Sequence, residues 1–121
     1  MTTRTFGAAA LLLLGTTLLQ PAAAQEVLVT PGFVVTIIGC GDGVVSCEDA
    51  KYVGVSRKTG QVLTLKGKTL HTMAADGVTP NRFLGYEFRN GQTVYRVTLD
   101  GELEVKQGGR ALVNEKGKWA P

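Results

Sequence analysis

Three groups of side chains in this sequence have types that could do chemistry. They are a pair of cysteines, a single histidine with nearby hydroxyl and carboxylate residues, and a run of basic residues. Cys40 and Cys47 are the only cysteines. A zinc site would need further Cys or His ligands close by, and a thiol redox motif would space its cysteines C-x-x-C. Neither is present, which leaves a structural disulfide Cys40–Cys47. Closing so short a loop stabilises by roughly 2.5 kcal/mol in the chain-entropy model.

His71 is the one histidine. A Ser-His-Asp arrangement can be drawn from Ser46 or Ser56 with His71 and Asp76, but no motif spacing supports it. A lone histidine in an extended segment reads as a surface or packing residue, so no catalytic residue is assigned. Asp42, Glu48 and Asp49 offer oxygen ligands beside glycines, as a calcium loop would. The alternating Asp-x-Asp-x-Asp-Gly spacing of a dedicated loop is missing, and a solvated acidic loop is the simpler reading. No metal and no cofactor are expected.

The charge layout carries more. Between Asp49 and Asp76 there is no acidic residue, yet Lys51, Arg57, Lys58, Lys66 and Lys68 all fall there. Such a stretch reads as a basic rim for the phosphates or carboxylates of an envelope polymer. The competing reading is ordinary solubility charge, with edge lysines blocking sheet-to-sheet association. Phe83 and Trp119 are aromatic residues that the apolar pattern does not require, as is Phe33. Phe83 and Trp119 are candidate contacts for a carbohydrate or a protein; the competing reading is that the N-terminal strands cover at least one of these aromatics and that Trp119 plugs one end of the domain.

These residues follow an N-terminal segment of a different kind. Arg4 precedes an apolar run over 6–19, then Gln20, Pro21 and three alanines. A charged start, a short apolar stretch and a small-residue ending describe a secretory signal peptide covering 1–24, cut before Gln25. The run is too short to span a bilayer, which takes about 20 apolar residues. The expected location is therefore periplasmic or secreted, where disulfides persist. The whole chain has 13 Lys plus Arg against 10 Asp plus Glu, a net charge of +3. That is too mild to imply nucleic acid as a partner.

The remaining residues, 25–121, make one domain. No stretch of them has helical periodicity, and 16 glycines in the chain punctuate short runs rich in Val, Thr, Ile, Leu and Tyr. The pattern predicts strands at 26–30, 33–38, 52–56, 61–65, 68–73, 82–89, 92–98, 102–106 and 110–114. It also predicts a disulfide loop at 39–50 and a loose tail at 117–121. The Asn90-Gly91 pair is a strong hairpin signal. A turn centred on it pairs Phe88 with Thr93, Tyr86 with Tyr95 and Leu84 with Val97. At Asp100 and Gly101 a three-residue loop, with Gly101 left-handed, keeps apolar residues on one face by setting Val97 against Leu103 and Tyr95 against Val105. A reversal at Gly108 and Gly109 then places Val105 against Leu112. The resulting meander, 82–114, has an apolar face of Leu84, Tyr86, Phe88, Tyr95, Val97, Leu103, Val105 and Leu112. With no helix to cover it, the N-terminal strands must do so. The expected fold is all-β, a small antiparallel meander forming a two-layer sandwich or a partly closed barrel.

Cys40, Cys47, the Tyr52-Val53-Gly54 run and the Thr59-Gly60 pair together resemble the cysteine-containing segment of the Fels-1 prophage-like family of small exported bacterial proteins. The resemblance implies an exported, disulfide-containing protein and no particular activity. The sequence therefore reads as a non-catalytic β domain that binds an envelope protein or an anionic glycan. The alternative is a structural or assembly role in which an edge strand, 26–30 or 110–114, pairs with another chain. A hydrolase has the least support.

Overall fold

The structure, a computed structural model, describes residues 25–39 and 46–121. Its regular elements are β1 (Gln25–Val29), β2 (Phe33–Ile38), β3 (Ala50–Ser56), β4 (Val62–Met73), β5 (Pro80–Asn90), β6 (Thr93–Thr98), β7 (Glu102–Gln107), β8 (Arg110–Lys116) and β9 (Lys118–Trp119). There is no helix among the described residues. Cys40 lies outside the described residues, as does the segment 1–24 expected to be a leader, so neither the expected Cys40–Cys47 bridge nor the expected cleavage point is seen.

From β1 to β8 each strand pairs antiparallel with the next in sequence, and β9 pairs with β1. Only Gly117 separates β8 from β9, so the two edges of the sheet are consecutive pieces of chain. One sheet nearly closed into a barrel results, and of the two expected architectures the sandwich is not formed. The tail at 117–121, expected to be loose, is the closing stave. Leu28 pairs with Trp119 and Val29 with Lys118, while the Trp119 indole donates to the Leu99 carbonyl at 2.9 Å. β9 thereby covers part of the outer edge of β1, while β8 keeps one edge unpaired.

Alternation along each strand turns one set of side chains inward, and a barrel of this strand number is filled by them. Leu28, Val35, Ile37, Tyr52, Phe88, Val97 and Leu103 are buried there. The Tyr52 ring lies tilted 5.3 Å from Phe88, and Tyr86 stacks on Phe88 at 6.2 Å. The expected strands at 61–65 and 68–73 are one continuous strand, β4. Gly67 does not break it, because the Phe88 ring and the Glu87 backbone pass where a side chain would stand.

Several expected details need correction. In the β5–β6 hairpin Asn90 pairs with Thr93, Phe88 with Tyr95 and Tyr86 with Val97. The turn is thus centred one residue later, on Gly91 (φ 63°) and Gln92. A shift of two in register leaves every side chain on its own face, so apolar alternation cannot distinguish the two pairings. The observed one sets Glu87 opposite Arg96, whose Nε donates to Oε2 at 3.0 Å. Leu84 and Leu112 are not core residues, being 39% and 45% exposed. Each sits at a shift in register. Leu70 pairs with Gly85 and His71 with Phe83, so Leu84 is the extra residue. Likewise Val105 pairs with Val113 and Lys106 with Ala111, leaving Leu112 over. The bulges turn Phe83 and Val113 toward the core instead. At Gly101 (φ 92°) the expected loop is present, with Val97 opposite Leu103, Tyr95 opposite Val105 and Arg96 opposite Glu104.

The Tyr86 hydroxyl donates to Glu26 Oε1 at 3.3 Å. Burial first, then the neighbouring Glu26 carboxylate, pushes its pKa up to about 12 from an ordinary 10.0. Between those values the folded chain holds a proton that the unfolded chain has released. Stability from this group is therefore complete below pH 10 and is lost as pH rises toward about 12. Denaturation midpoints measured across that window should fall, and tyrosinate absorbance at 295 nm should lag behind that of the unfolded chain. A flat midpoint through the window would contradict this placement of Tyr86.

Candidate functional site

The barrel is not sealed everywhere. β8 is an edge strand of the sheet, with β7 on one side only. A cavity of about 570 Å³ opens between its Leu112 and Val113 and the facing wall of β2, β3 and β4. Phe33, Gly54 and Leu63 form that wall, while Tyr52, Tyr95 and Val105 form the floor. Glu115 Oε1 accepts from Thr30 Oγ1 at 2.7 Å and from the Gly32 amide at 2.9 Å, tying the β1–β2 turn to β8.

Tyr52 sets the character of the floor. It is inward on β3 and pairs with Leu65. Its ring leans along the strand so that the hydroxyl lies over Gly54, where a β-carbon would meet it at 2.7 Å. Tyr95 packs beside it, ring centres 5.5 Å apart. Tyr52 is 2% exposed, yet its hydroxyl has no hydrogen-bond partner among the described residues, whereas the Tyr86 hydroxyl has Glu26. Burial, and then the Tyr95 phenol, pushes the Tyr52 pKa above the ordinary tyrosine range. It is therefore neutral and keeps its proton. A buried hydroxyl without a partner costs about 1–3 kcal/mol. Tyr52→Phe should then raise the unfolding free energy of the unliganded domain by about 1 kcal/mol, the reverse of the usual sign for losing a tyrosine hydroxyl. Urea denaturation of the two proteins at equal slope tests this, and a loss of stability would mean that the hydroxyl is paired.

The residues expected to do chemistry are dispersed. Ser46 and His71 border a common groove, but His71 Nδ1 faces the Thr72 carbonyl at 3.3 Å. The Asp76 carboxylate is committed to its own turn, accepting from the Val78 and Thr79 amides and from the Thr79 hydroxyl. Those bonds, the Thr79 hydroxyl foremost, lower its pKa. Ser56 lies at the other end of β3, its hydroxyl accepting from the Lys58 and Thr59 amides. Nothing among the described residues points to catalysis. No cluster of metal-ligating side chains occurs among them either; Asp42 lies outside the described residues, while Glu48 and Asp49 precede β3.

The five basic residues do not form one rim. Lys51 and Lys66 are cross-strand neighbours on the outer wall. Lys68 follows two residues along β4, opposite Glu87. Arg57 and Lys58 lie beyond the far end of β3. The Arg57 guanidinium donates to the Thr30 carbonyl at 2.8 Å, serving the β1–β2 turn near the mouth. Like charges placed opposite each other destabilise a sheet slightly. No carboxylate bridges Lys51, Lys66 or Lys68 among the described residues, since the wall's ion pairs are Glu87 with Arg96 and Arg89, and Glu104 with Lys106.

The aromatic candidates are occupied with packing. Phe83 meets Tyr86 edge-on at 5.1 Å, and Trp119 packs against the core at the closure. The mouth is not legible along the chain, because curvature of the sheet brings its residues together from strands between β2 and β8. The one local signal was the Tyr52-Val53-Gly54 run, a large ring beside a residue with no side chain. No helix is long and apolar enough to cross a membrane among the described residues. No family model, curated protein or solved structure matches the chain.

Proposed function

We propose that this chain is an exported, non-catalytic binding domain of the cell envelope, and that its ligand is a small apolar molecule held in the barrel mouth. The observation that carries this reading is the buried Tyr52 hydroxyl, without a partner among the described residues, on the floor of a mostly apolar cavity. Its volume of about 570 Å³ falls within the roughly 300–1,000 Å³ of small-molecule sites. Export rests on the leader over 1–24, and the expected Cys40–Cys47 bridge suits an oxidising compartment. Titration with N-phenyl-1-naphthylamine, a neutral dye that brightens in apolar surroundings, tests it. Saturable one-site binding is expected, abolished in Leu63→Trp, which fills the mouth, at an unchanged melting temperature. Absence of saturable binding to the intact domain would remove the reading.

A second reading has its own observation. Lys51 opposite Lys66, with Lys68 adjacent, is the one part of the basic stretch that forms a patch, and it suits a linear anionic glycan. Retention on a sulfated polysaccharide matrix, eluted by salt, should fall in the Lys51→Glu, Lys66→Glu double variant. Elution at the same salt would exclude it.

A further inference from the structure

We infer that the ligand of the mouth is uncharged and carries one hydrogen-bond acceptor, such as a carbonyl, an ether or a ring nitrogen, on an apolar body, with that acceptor seated on the Tyr52 hydroxyl. The inference rests on the mouth being a ligand site and adds the chemistry that the site selects.

The lining dictates the absence of charge. Twelve residues border the cavity, and none of them is Lys, Arg, His, Asp or Glu. An ionic ligand would leave water without a counter-charge, which apolar surroundings penalise heavily. The other three lining residues with polar side-chain atoms, Ser56, Gln61 and Tyr95, are each at least partly exposed. Ser56 already accepts two amides of its own turn. Deep in the site Tyr52, 2% exposed yet bordering the cavity, is the one buried lining residue that carries a polar side-chain group.

That hydroxyl is a proton donor first. Burial and the facing Tyr95 phenol oppose its ionisation, so the O–H is retained at any physiological pH. A phenol donates one hydrogen and rotates it within the ring plane. The close approach of the ring to Gly54 fixes the oxygen at one place on the floor. One donor at a fixed depth specifies one acceptor at a matching depth. The rest of the ligand meets Tyr95, Phe33, Leu63, Val105 and Val113. The Tyr52 and Tyr95 rings, tilted 56° to each other, offer a face and an edge to a flat aromatic or alicyclic body.

Three probes of nearly one shape separate these requirements: 2-acetonaphthone, 2-isopropenylnaphthalene and 2-naphthoate. The first two differ by a carbonyl oxygen against a methylene, and the third replaces the neutral acceptor with a carboxylate. Dissociation constants come from amide shifts in nitrogen-15-labelled protein. In the wild-type domain the ketone should bind about five-fold tighter than the hydrocarbon, the gain of one neutral hydrogen bond, although it is the less hydrophobic of the two. Naphthoate should bind at least about ten-fold more weakly than the ketone. In Tyr52→Phe, which keeps the ring packing, the ketone and hydrocarbon should bind alike. In Tyr95→Phe their ratio should persist.

Equal binding of ketone and hydrocarbon to the wild type, or a ratio unchanged in Tyr52→Phe, would overturn the inference while leaving the mouth a ligand site. Naphthoate binding as tightly as the ketone would overturn the requirement for neutrality. Failure of all three probes to bind would overturn the mouth as a site, and this inference with it.

Discussion

Phe88→Ala is expected to destabilise the domain by about 3–5 kcal/mol, the range for removing a fully buried phenylalanine. Phe88 is entirely buried and stands where the two halves of the interior meet. Its ring contacts Tyr52 from β3 and Tyr86 from its own strand. Gly67 on β4 has no side chain because the Phe88 ring passes over it. Small domains are stable by roughly 5–15 kcal/mol in all, so the variant should be partly unfolded at moderate temperature. Its urea midpoint measures the effect, and a loss under about 1 kcal/mol would mean that Phe88 does not fill the core.

Gly117→Ala is expected to cost about 3 kcal/mol, at the upper end of overpacking penalties. At Gly117 the last stretch of chain passes from β7 to β1. Its amide donates to the Gly101 carbonyl at 2.8 Å. A β-carbon there would fall on the Val29 carbonyl group, closer than real contacts allow, and 2.9 Å from the Thr30 methyl. The atoms to be displaced are mainly backbone of β1, so relief must come from parting β1 from β9. Trp119 is the only tryptophan and hydrogen-bonds to Leu99 across this closure, so it reports the event. Its emission should shift to the red in the variant before global unfolding. Wild-type emission together with a wild-type midpoint would contradict closure by the final strand.

Both predictions draw on contacts that the sequence shows only in part. Strand propensity, glycine turns and apolar alternation placed most strands within two residues of where they lie. The Gly101 loop was readable because only a bulged turn kept Leu103 and Val105 on the apolar side. What alternation could not show was an interruption of itself. Leu84 and Leu112 were assigned to the core because period two was carried through them, and both are the extra residue of a bulge. For Leu84 a hint existed in Gly85, since a glycine inside a strand often marks a bulge; its φ of 145° is one that a side chain disfavours. For Leu112 there was no local hint.

The same limit governed the candidate site. Spacing along the chain grouped Lys51, Arg57, Lys58, Lys66 and Lys68, but a seven-residue β3 separates them into two ends. The cross-strand pairing of Lys51 with Lys66 was latent in the turn between them. Tyr52 is legible only within a local motif, because its ring packs against Phe88 of β5 and Tyr95 of β6, far away in sequence. Closure by the tail was hidden for a related reason. Two residues of strand have no periodicity to read, and nothing local decides between Trp119 as an exposed contact and Trp119 as a plug at one end of the domain.

Amide shifts of the isotope-labelled domain during titration with N-phenyl-1-naphthylamine test most directly whether the barrel mouth is a ligand site. Saturable shifts should gather on Gly54, Leu63, Tyr95 and Val113, with the amides of Lys51, Lys66 and Lys68 unmoved. Shifts that never saturate, or that gather on the lysine-bearing wall and leave the mouth unchanged, would contradict it.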